Sequence, residues 1–354
     1  MSAVPAAATT SYGLPGRGAG VLAVVRRGDL VESVHAGHLR AADADGRTVV
    51  EVGDPAATLW PRSTLKPVQA VAMLRHGLAL PDRLLALACA SHSGDEAHRD
   101  GVLEILSTYG LDERALANEP TLPLDPEIAR EWQQAGHGPE RLTQNCSGKH
   151  AAMLATCVAA GWPTSGYLAV DHPLQVALRD VVRELTAPDA EAAGAPPEET
   201  GAAHVTVDGC GAPLFSASTA GLLRAFRRIA TAPGRDPLAP EALVARAMTQ
   251  HPHMVAGTRR ETTLLMDAVP GMVVKDGADG VLAAALPDGR AFALKIADGG
   301  QRPLAAVATA VLDRLGVDVA GVLPAWPVEG GGRPVGRVEA ALPDAPGALP
   351  GDAA

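Results

Sequence analysis

Residues 20–54 read GVLAVVRRGDLVESVHAGHLRAADADGRTVVEVGD, short β-branched runs broken at RGD and DADG. Apolar runs interrupted by Gly and Asp predict an antiparallel meander. The signature returns at residues 271–300, GMVVKDGADGVLAAALPDGRAFALKIADGG, which predicts two or three further strands with turns at DGADG and PDG. Between these regions the apolar spacing turns helical. PVQAVAMLRHG closes at Gly77, GKHAAMLATCVAAG closes at Gly161, and STAGLLRAFRRIA carries Leu and Phe at helical intervals. A later helix over PLAAVATAVLDRLG closes at Gly316.

Strands towards both ends with helices inserted between them predict that the ends of the chain meet in one sheet. The expected fold class is α+β, a single domain over residues 20–325 with helices packed on an antiparallel sheet. Residues 187–201, APDAEAAGAPPEETG, have the composition of a disordered or surface loop, residues 1–19 that of a flexible N-terminus, and the Gly-, Pro- and Ala-rich tail 326–354 that of a disordered segment.

Composition narrows the function classes. A chain of 354 residues that is 47% hydrophobic can bury roughly three quarters of its unfolded surface, enough for a large globular domain. Aromatics are only 3%, so Ala, Leu and Val must fill the core and no base-stacking platform is available. A net charge of −10 also repels phosphate backbones, so a nucleic-acid partner is not expected. The first twenty residues lack a basic segment followed by an apolar run, and nothing reaches the ~18 apolar residues of a membrane span. The expectation is a cytoplasmic protein with no membrane partner. Cys89, Cys146, Cys157 and Cys210 are too few and too scattered for a disulfide framework, which leaves reduced thiols or metal ligands.

Of the 30 lysines and arginines only four are lysines: Lys66, Lys149, Lys275 and Lys295. An amine can be tuned to lose its proton where a guanidinium cannot, so each surviving lysine calls for a chemical reason. In WPRSTLKPVQ, Pro67 is tolerated only in the first turn of a helix, which makes Ser63 or Thr64 the expected cap. Ser63 and Lys66 are then one turn apart on one face, a nucleophile beside a base. The alternative is a capping serine with a solvated lysine, because S-x-x-K alone is a weak pattern.

Other segments strengthen it. ACASHSGDEAHRD packs Ser91, His92, Ser93, Asp95 and His98 into a short loop that reads as a pocket wall. QNCSGKHAAML places Cys146, Lys149 and His150 at a helix start, VDGCGAPLFSAS sets Cys210 beside Asp208, and VVKDGADG has the K-x-G form seen in serine acylases at Lys275. Lys295, in AFALKIAD, has no such motif and reads as an ordinary strand residue.

Taken in order, PRSTLKP, SHSGDEAHRD, NCSGKHAAML, DHPLQ, DGCGAPLFS and KDGADG make the chain resemble, from about residue 20 to 320, the thermolabile type of bacterial L-asparaginase II found in rhizobia. The resemblance implies a fold similar to serine β-lactamases, penicillin-binding proteins and glutaminases. It implies hydrolysis of L-asparagine to L-aspartate and ammonia by a homodimer, and sets the chain apart from asparaginases that use a threonine nucleophile. Carried over residue by residue, it makes Ser63 the nucleophile and Lys66 its base, with Ser91 and Lys275 a second Ser–Lys pair facing the same acyl carbon. It also implies a zinc ion held by Cys146, Lys149 and Cys210. By chemistry alone Cys146, His150 and Cys210 form a more ordinary ligand set, so His150 stays open.

A free amino acid needs a donor for its carboxylate and an acceptor for its ammonium. The candidates near the motifs are Arg62, His92 and Asp208, with Arg260 more distant. Three other readings compete with an asparaginase. They are a glutaminase, a β-lactamase or D,D-peptidase using the same S-x-x-K and K-x-G, and a non-catalytic amino-acid sensor, against which the intact Ser63, Lys66, Ser91 and Lys275 set argues.

Overall fold

Strands β1 (Gly20–Arg27), β2 (Leu30–Ala42) and β3 (Thr48–Val52) form the meander expected from the first apolar runs, with β1 and β3 both pairing antiparallel with β2. The computed structural model describes residues 18–188 and 201–344. After β3 come six helices: α1 (Lys66–Arg75), α2 (Asp82–Ala88), α3 (Glu96–Thr108), α4 (Pro126–Gln134), α5 (Ser147–Ala160) and α6 (Pro173–Thr186). A two-stranded ribbon, β4 (Val205–Val207) and β5 (Pro213–Phe215), leads into α7 (Thr219–Thr231), α8 (Pro240–Gln250), α9 (Pro252–Ala256) and α10 (Glu261–Ala268). The chain returns to the sheet through β6 (Val273–Gly277), β7 (Val281–Ala285) and β8 (Ala291–Ile296), then α11 (Leu304–Arg314), β9 (Val328–Gly330) and β10 (Arg333–Ala340).

The large sheet has eight strands in the order β6-β7-β8-β2-β1-β10-β9, with β3 also on β2, and every pairing is antiparallel. Early strand β2 therefore lies directly against late strand β8, with Leu39 opposite Leu294. The ends of the chain do share one sheet. Every residue of β7 and β8 is buried, and their alanines let α7 lie close on them. Leu222, Phe226 and Ile229 of α7 are fully buried there, each worth about 1.5–3 kcal/mol of apolar transfer. Ser218 caps α7 by accepting from the Gly221 amide at 3.1 Å, and α5 ends where predicted, at Gly161 in a left-handed conformation with φ +70°.

The tail departs from expectation. Residues 328–340 are ordered strands rather than a disordered segment: β10 pairs with β1 from Ala23 opposite Ala340 to Arg27 opposite Gly336. Its Gly, Pro and Arg content disguised it, because a strand near the sheet's edge is held by backbone hydrogen bonds and needs few apolar side chains. The Arg26–Glu339 pair at 2.8 Å lies across this junction. Residues 1–17, 189–200 and 345–354, which cover most of the other segments expected to be irregular, lie outside the described residues.

Candidate active site

A short 3-10 turn, Arg62–Leu65, delivers the chain into α1. Pro67 sits in the first turn of α1 as its missing N–H requires, but the cap is not the one expected. Leu65 occupies the N-cap position without a side-chain bond, and Thr64 Oγ1 donates instead to the Pro61 carbonyl at 2.7 Å. Ser63 thus caps nothing and stands half-buried just ahead of the helix. Two glycines allow neighbouring segments to close on this region. A Cβ on Gly277 would come within 2.5 Å of the Pro61 carbonyl oxygen, and one on Gly148 within 2.5 Å of the Leu87 carbonyl oxygen. The KDG and SGKH motifs therefore need glycine for close backbone approach.

Lys66 is buried, not solvated. Its Nζ donates to the Ala90 carbonyl at 2.5 Å and to Ser91 Oγ at 3.1 Å, and lies 3.2 Å from Cys146 Sγ. No hydrogen bond joins it to Ser63 among the described residues, so the amine reaches the second serine of the expected quartet rather than the first. Lys275 is also fully buried, at the centre of β6. Its Nζ donates to the Asp276 carbonyl at 2.7 Å and to Asp276 Oδ1 at 2.5 Å, and no bond links it to Ser91. Burial pushes the Lys275 amine down to about 8 and the charge of Lys66 pushes the same way, with Asp276 opposing. The carboxyl of Asp276 is held well below its ordinary value; burial works against this, but Lys275 and Arg260 outweigh it. Arg260 Nη2 donates to Asp276 Oδ2 at 2.7 Å.

Arg62 adopts φ +55°, a left-handed conformation that costs a non-glycine residue on the order of 1 kcal/mol. Its guanidinium donates to Asp208 Oδ1 at 2.7 Å and to Asp279, so two of the expected substrate-binding residues hold each other. Asp208 is brought here by the ribbon turn between β4 and β5, where Gly211, with φ +87°, returns its amide to the Asp208 carbonyl at 2.8 Å. Burial would raise the Asp208 carboxyl, but Lys149 and Arg62 hold it below its ordinary value.

His92 does not wall a pocket. Its ring is fully buried, and Nε2 donates to Ser147 Oγ at 2.9 Å while Ser147 donates onward to the Leu142 carbonyl. Burial drives the imidazole well below its ordinary value and keeps it neutral. The apolar packing of α2 and α5 around the SHSGD loop, invisible in a hydroxyl-rich motif, turns this histidine inward as it stands.

Cys146 and Cys210 pack side by side around Ala212, and Lys149 Nζ lies 3.2 Å from Cys210 Sγ. Hydrogen bonding from Cys210 holds the Cys146 thiol well below its ordinary value, with Lys66 and Lys149 assisting against burial. Burial alone would lower the Lys149 amine, but the two sulfurs outweigh it and raise it. Two adjacent sulfurs, one favoured as thiolate, are donors of the kind zinc takes, whereas the Lys149 amine beside them is held as an ammonium and would have to give up its proton to join them. His150 Nδ1 pairs with the Tyr167 hydroxyl at 2.8 Å, while its Nε2 is buried without a hydrogen-bond partner and the ring interacts with Cys210, so it stays beside Lys149 as an alternative ligand.

Asp276 and Asp279 were not singled out from the sequence, although both lie in KDGADG. Neighbouring residues on a strand point to opposite faces, so nothing in the pattern pairs Asp276 with Lys275. Asp279 occupies a tight turn at φ +59°, which only the fold directs towards Arg62. Lys295 donates to two carbonyls, of Asp279 at 2.6 Å and Ile296 at 2.7 Å, and among the described residues no hydrogen bond joins it to Ser63, Lys66, Ser91 or Lys275.

Among the described residues no helix is long and apolar enough to cross a membrane. No curated protein matches the chain in sequence. Two solved structures share 13% identity with it: Mglu in its tris and glutamate form, over 79% of this chain and 57% of that one with a TM-score of 0.33, and EstCE1, a hydrolase with promiscuous acyltransferase activity, over 84% and 93% with a TM-score of 0.37. The chain thus spans 57% of the length of the Mglu structure, and likenesses of this size do not define a fold. The sequence itself matches the family model described as L-asparaginase II over residues 23–340, and the protein belongs to that family.

Proposed function

We propose that the protein is an amidohydrolase that converts L-asparagine to L-aspartate and ammonia through an acyl-enzyme on Ser63, on a framework akin to the serine β-lactamases. The observation that carries this reading is the buried amine of Lys66, one turn beyond Ser63, bonded to Ser91 and charge-coupled to Lys275. The charge of Lys66 helps burial lower the Lys275 amine, so the pair can offer a neutral amine beside an ammonium. The neutral amine accepts the Ser63 proton as Oγ attacks the side-chain amide carbon. The tetrahedral adduct then expels ammonia, which takes a proton from the ammonium of the pair. In the second half, water adds to the ester carbon and gives its proton to the neutral amine. The ester bond breaks, Ser63 regains its proton and aspartate leaves.

Ser91, bonded to Lys66 and not to Lys275, relays protons on the Lys66 side of this pair. Asp276 holds Lys275 in place, and Arg62, tied to Asp208, presents a guanidinium at the half-exposed edge where a carboxylate substrate would enter. A zinc ion held by Cys146, Lys149 and Cys210 would supply orientation of the pocket and of the Lys66 amine, since the serine already provides the nucleophile. Asparagine differs from glutamine by one methylene, worth only about 1–3 kcal/mol, so the preference has to be measured. Ammonia release is compared across asparagine, glutamine and a penicillin. Turnover of asparagine fastest by kcat/KM supports the reading, and turnover of penicillin alone rejects it.

A further inference from the structure

Asp95, His98 and His253 stand outside the machinery just described, yet their ligand atoms lie within 4.8 Å of one another. Asp95 caps α3, with Oδ1 accepting from the His98 amide at 3.1 Å, and His98 follows in the first turn of that helix. His253 comes from α9, and its ring stacks on that of His98 with centroids 5.0 Å apart. His98 Nε2 faces the His253 carbonyl oxygen at 2.9 Å. A carbonyl only accepts, so Nε2 carries the proton, and in the neutral ring Nδ1 presents a lone pair. That lone pair lies 2.7 Å from Asp95 Oδ1, itself an acceptor, in a ring with 0% side-chain exposure.

Two acceptors at this distance repel unless they share a cation, either a proton or a metal ion. A proton would serve only along a straight N–H···O line, and Asp95 Oδ1 is off that line, leaving Nδ1 buried without a hydrogen-bond partner. One ligand atom from each of the three residues lies within 4.8 Å of the others, near enough to share one ion. The second carboxylate oxygen, Oδ2, lies 3.1 Å from His253 Nε2 and completes the ring of donors. Around a tetrahedral ion with ligand bonds near 2.0–2.1 Å, neighbouring donors are separated by roughly 3.3 Å; the 3.1 Å spacing is close to this, and the 2.7 Å spacing would open by about 0.6 Å on binding.

We propose that Asp95, His98 and His253 bind a divalent transition cation of the zinc or cobalt type, a site separate from Cys146, Lys149 and Cys210. Two imidazoles and a carboxylate suit such a borderline ion. A surface cavity of about 290 Å³, lined by Ser93, Asp95, Asp125, Ile128, Thr258 and Arg259, opens beside Asp95 and gives the ion an entry path and room for a water ligand. The site ties α3 to α9, and α9 in turn holds the serine loop: the Val255 carbonyl accepts from the Ser91 amide at 3.0 Å, and the Ala256 carbonyl from Ser93 Oγ at 2.7 Å. Its role is structural, fixing the segment that carries Ser91.

The test is a cobalt(II) titration of the full-length protein after dialysis against a chelator, followed by absorbance and by metal analysis after gel filtration. Cobalt on two imidazoles and a carboxylate gives visible ligand-field bands without the near-ultraviolet charge-transfer band that thiolate ligands add, so this site is distinguished from the cysteine pair. The expected result is one equivalent of that kind in the wild type, weakened at least about tenfold in His253→Ala and in Asp95→Asn with any thiolate band unchanged. The His253 side chain is 41% exposed and asparagine retains a capping oxygen, so both variants are expected to fold. Absence of the thiolate-free equivalent in the wild type, or its persistence undiminished in both variants, overturns the proposal and leaves Asp95, His98 and His253 a polar cluster without a metal.

Discussion

Lys66 Nζ lies 3.1 Å from Ser91 Oγ across 25 residues of sequence, and no bond ties it to its neighbour Ser63, one turn away. The S-x-x-K spacing sets Lys66 one turn from Ser63, and the hydrogen bond of its amine runs to Ser91. Ser91 is buried beside this amine, while Ser63 stands half-buried just ahead of α1. A hydroxyl that attacks must be accessible, and one that relays can be buried.

Ser63→Ala should therefore lower kcat for ammonia release by roughly 10⁴ or more without loss of folding, because the side chain makes no hydrogen bond among the described residues. Ser91→Ala should cost less, about 10–10³, since an amine and water can replace a relay. Steady-state kinetics check the order. A Ser91 variant more severely impaired than the Ser63 variant would reverse the two roles.

Lys275 supplies a pH signature. Its amine is lowered to about 8, so its neutral form grows as pH rises through that value, and kcat/KM should climb on a limb near pH 8. Lys275→Arg keeps the charge and removes the titration, and should abolish the limb with a loss of about 10²–10⁴ in kcat. Retention of more than about a third of wild-type kcat, under ~1 kcal/mol of barrier, would show that Lys275 only binds carboxylate.

The same limb tests Asp276. Its charge raises the Lys275 amine, so Asp276→Asn removes support for the ammonium and the limb should shift to lower pH by about 1 unit. A shift to higher pH would mean that the lysine responds to something other than its carboxylate neighbour. Pairing the rate profile with thermal melts separates a shift from unfolding.

The cysteine pair gives a prediction about metal. Cys210→Ser should reduce zinc retained after dialysis and raise KM for asparagine more than it lowers kcat, in keeping with an orienting role. An unaltered KM with kcat abolished would make the metal a direct participant. Metal analysis and kinetics on one preparation decide it.

Removing residues 328–354 deletes β9 and β10 and uncovers the backbone of β1 from Ala23 to Arg27. An unpaired strand edge invites association, so the truncated protein should aggregate or melt several degrees lower than a chain ending at Asp344. Equal solubility and melting of the two truncations would show that β10 contributes little.

The sequence by itself determined the class of fold and the families of chemistry. Apolar periodicity located β1, β2, β6, β7 and β8 and the helices ending at Gly161 and Gly316, because burial and glycine conformation act locally on spacing. Lysine scarcity marked Lys66, Lys149 and Lys275, all three buried, and burial lowers the Lys275 amine to about 8 as it could not lower a guanidinium. What tertiary structure decided was partnership. Lys66 with Ser91, Lys275 with Asp276, Arg62 with Asp208, and Asp95 with both His98 and His253 each depend on where side chains point once helices and sheet have packed. It likewise turned His92 into the core and drew an unpromising Gly- and Pro-containing tail into the sheet, because a strand's backbone pairs with whatever edge is presented to it.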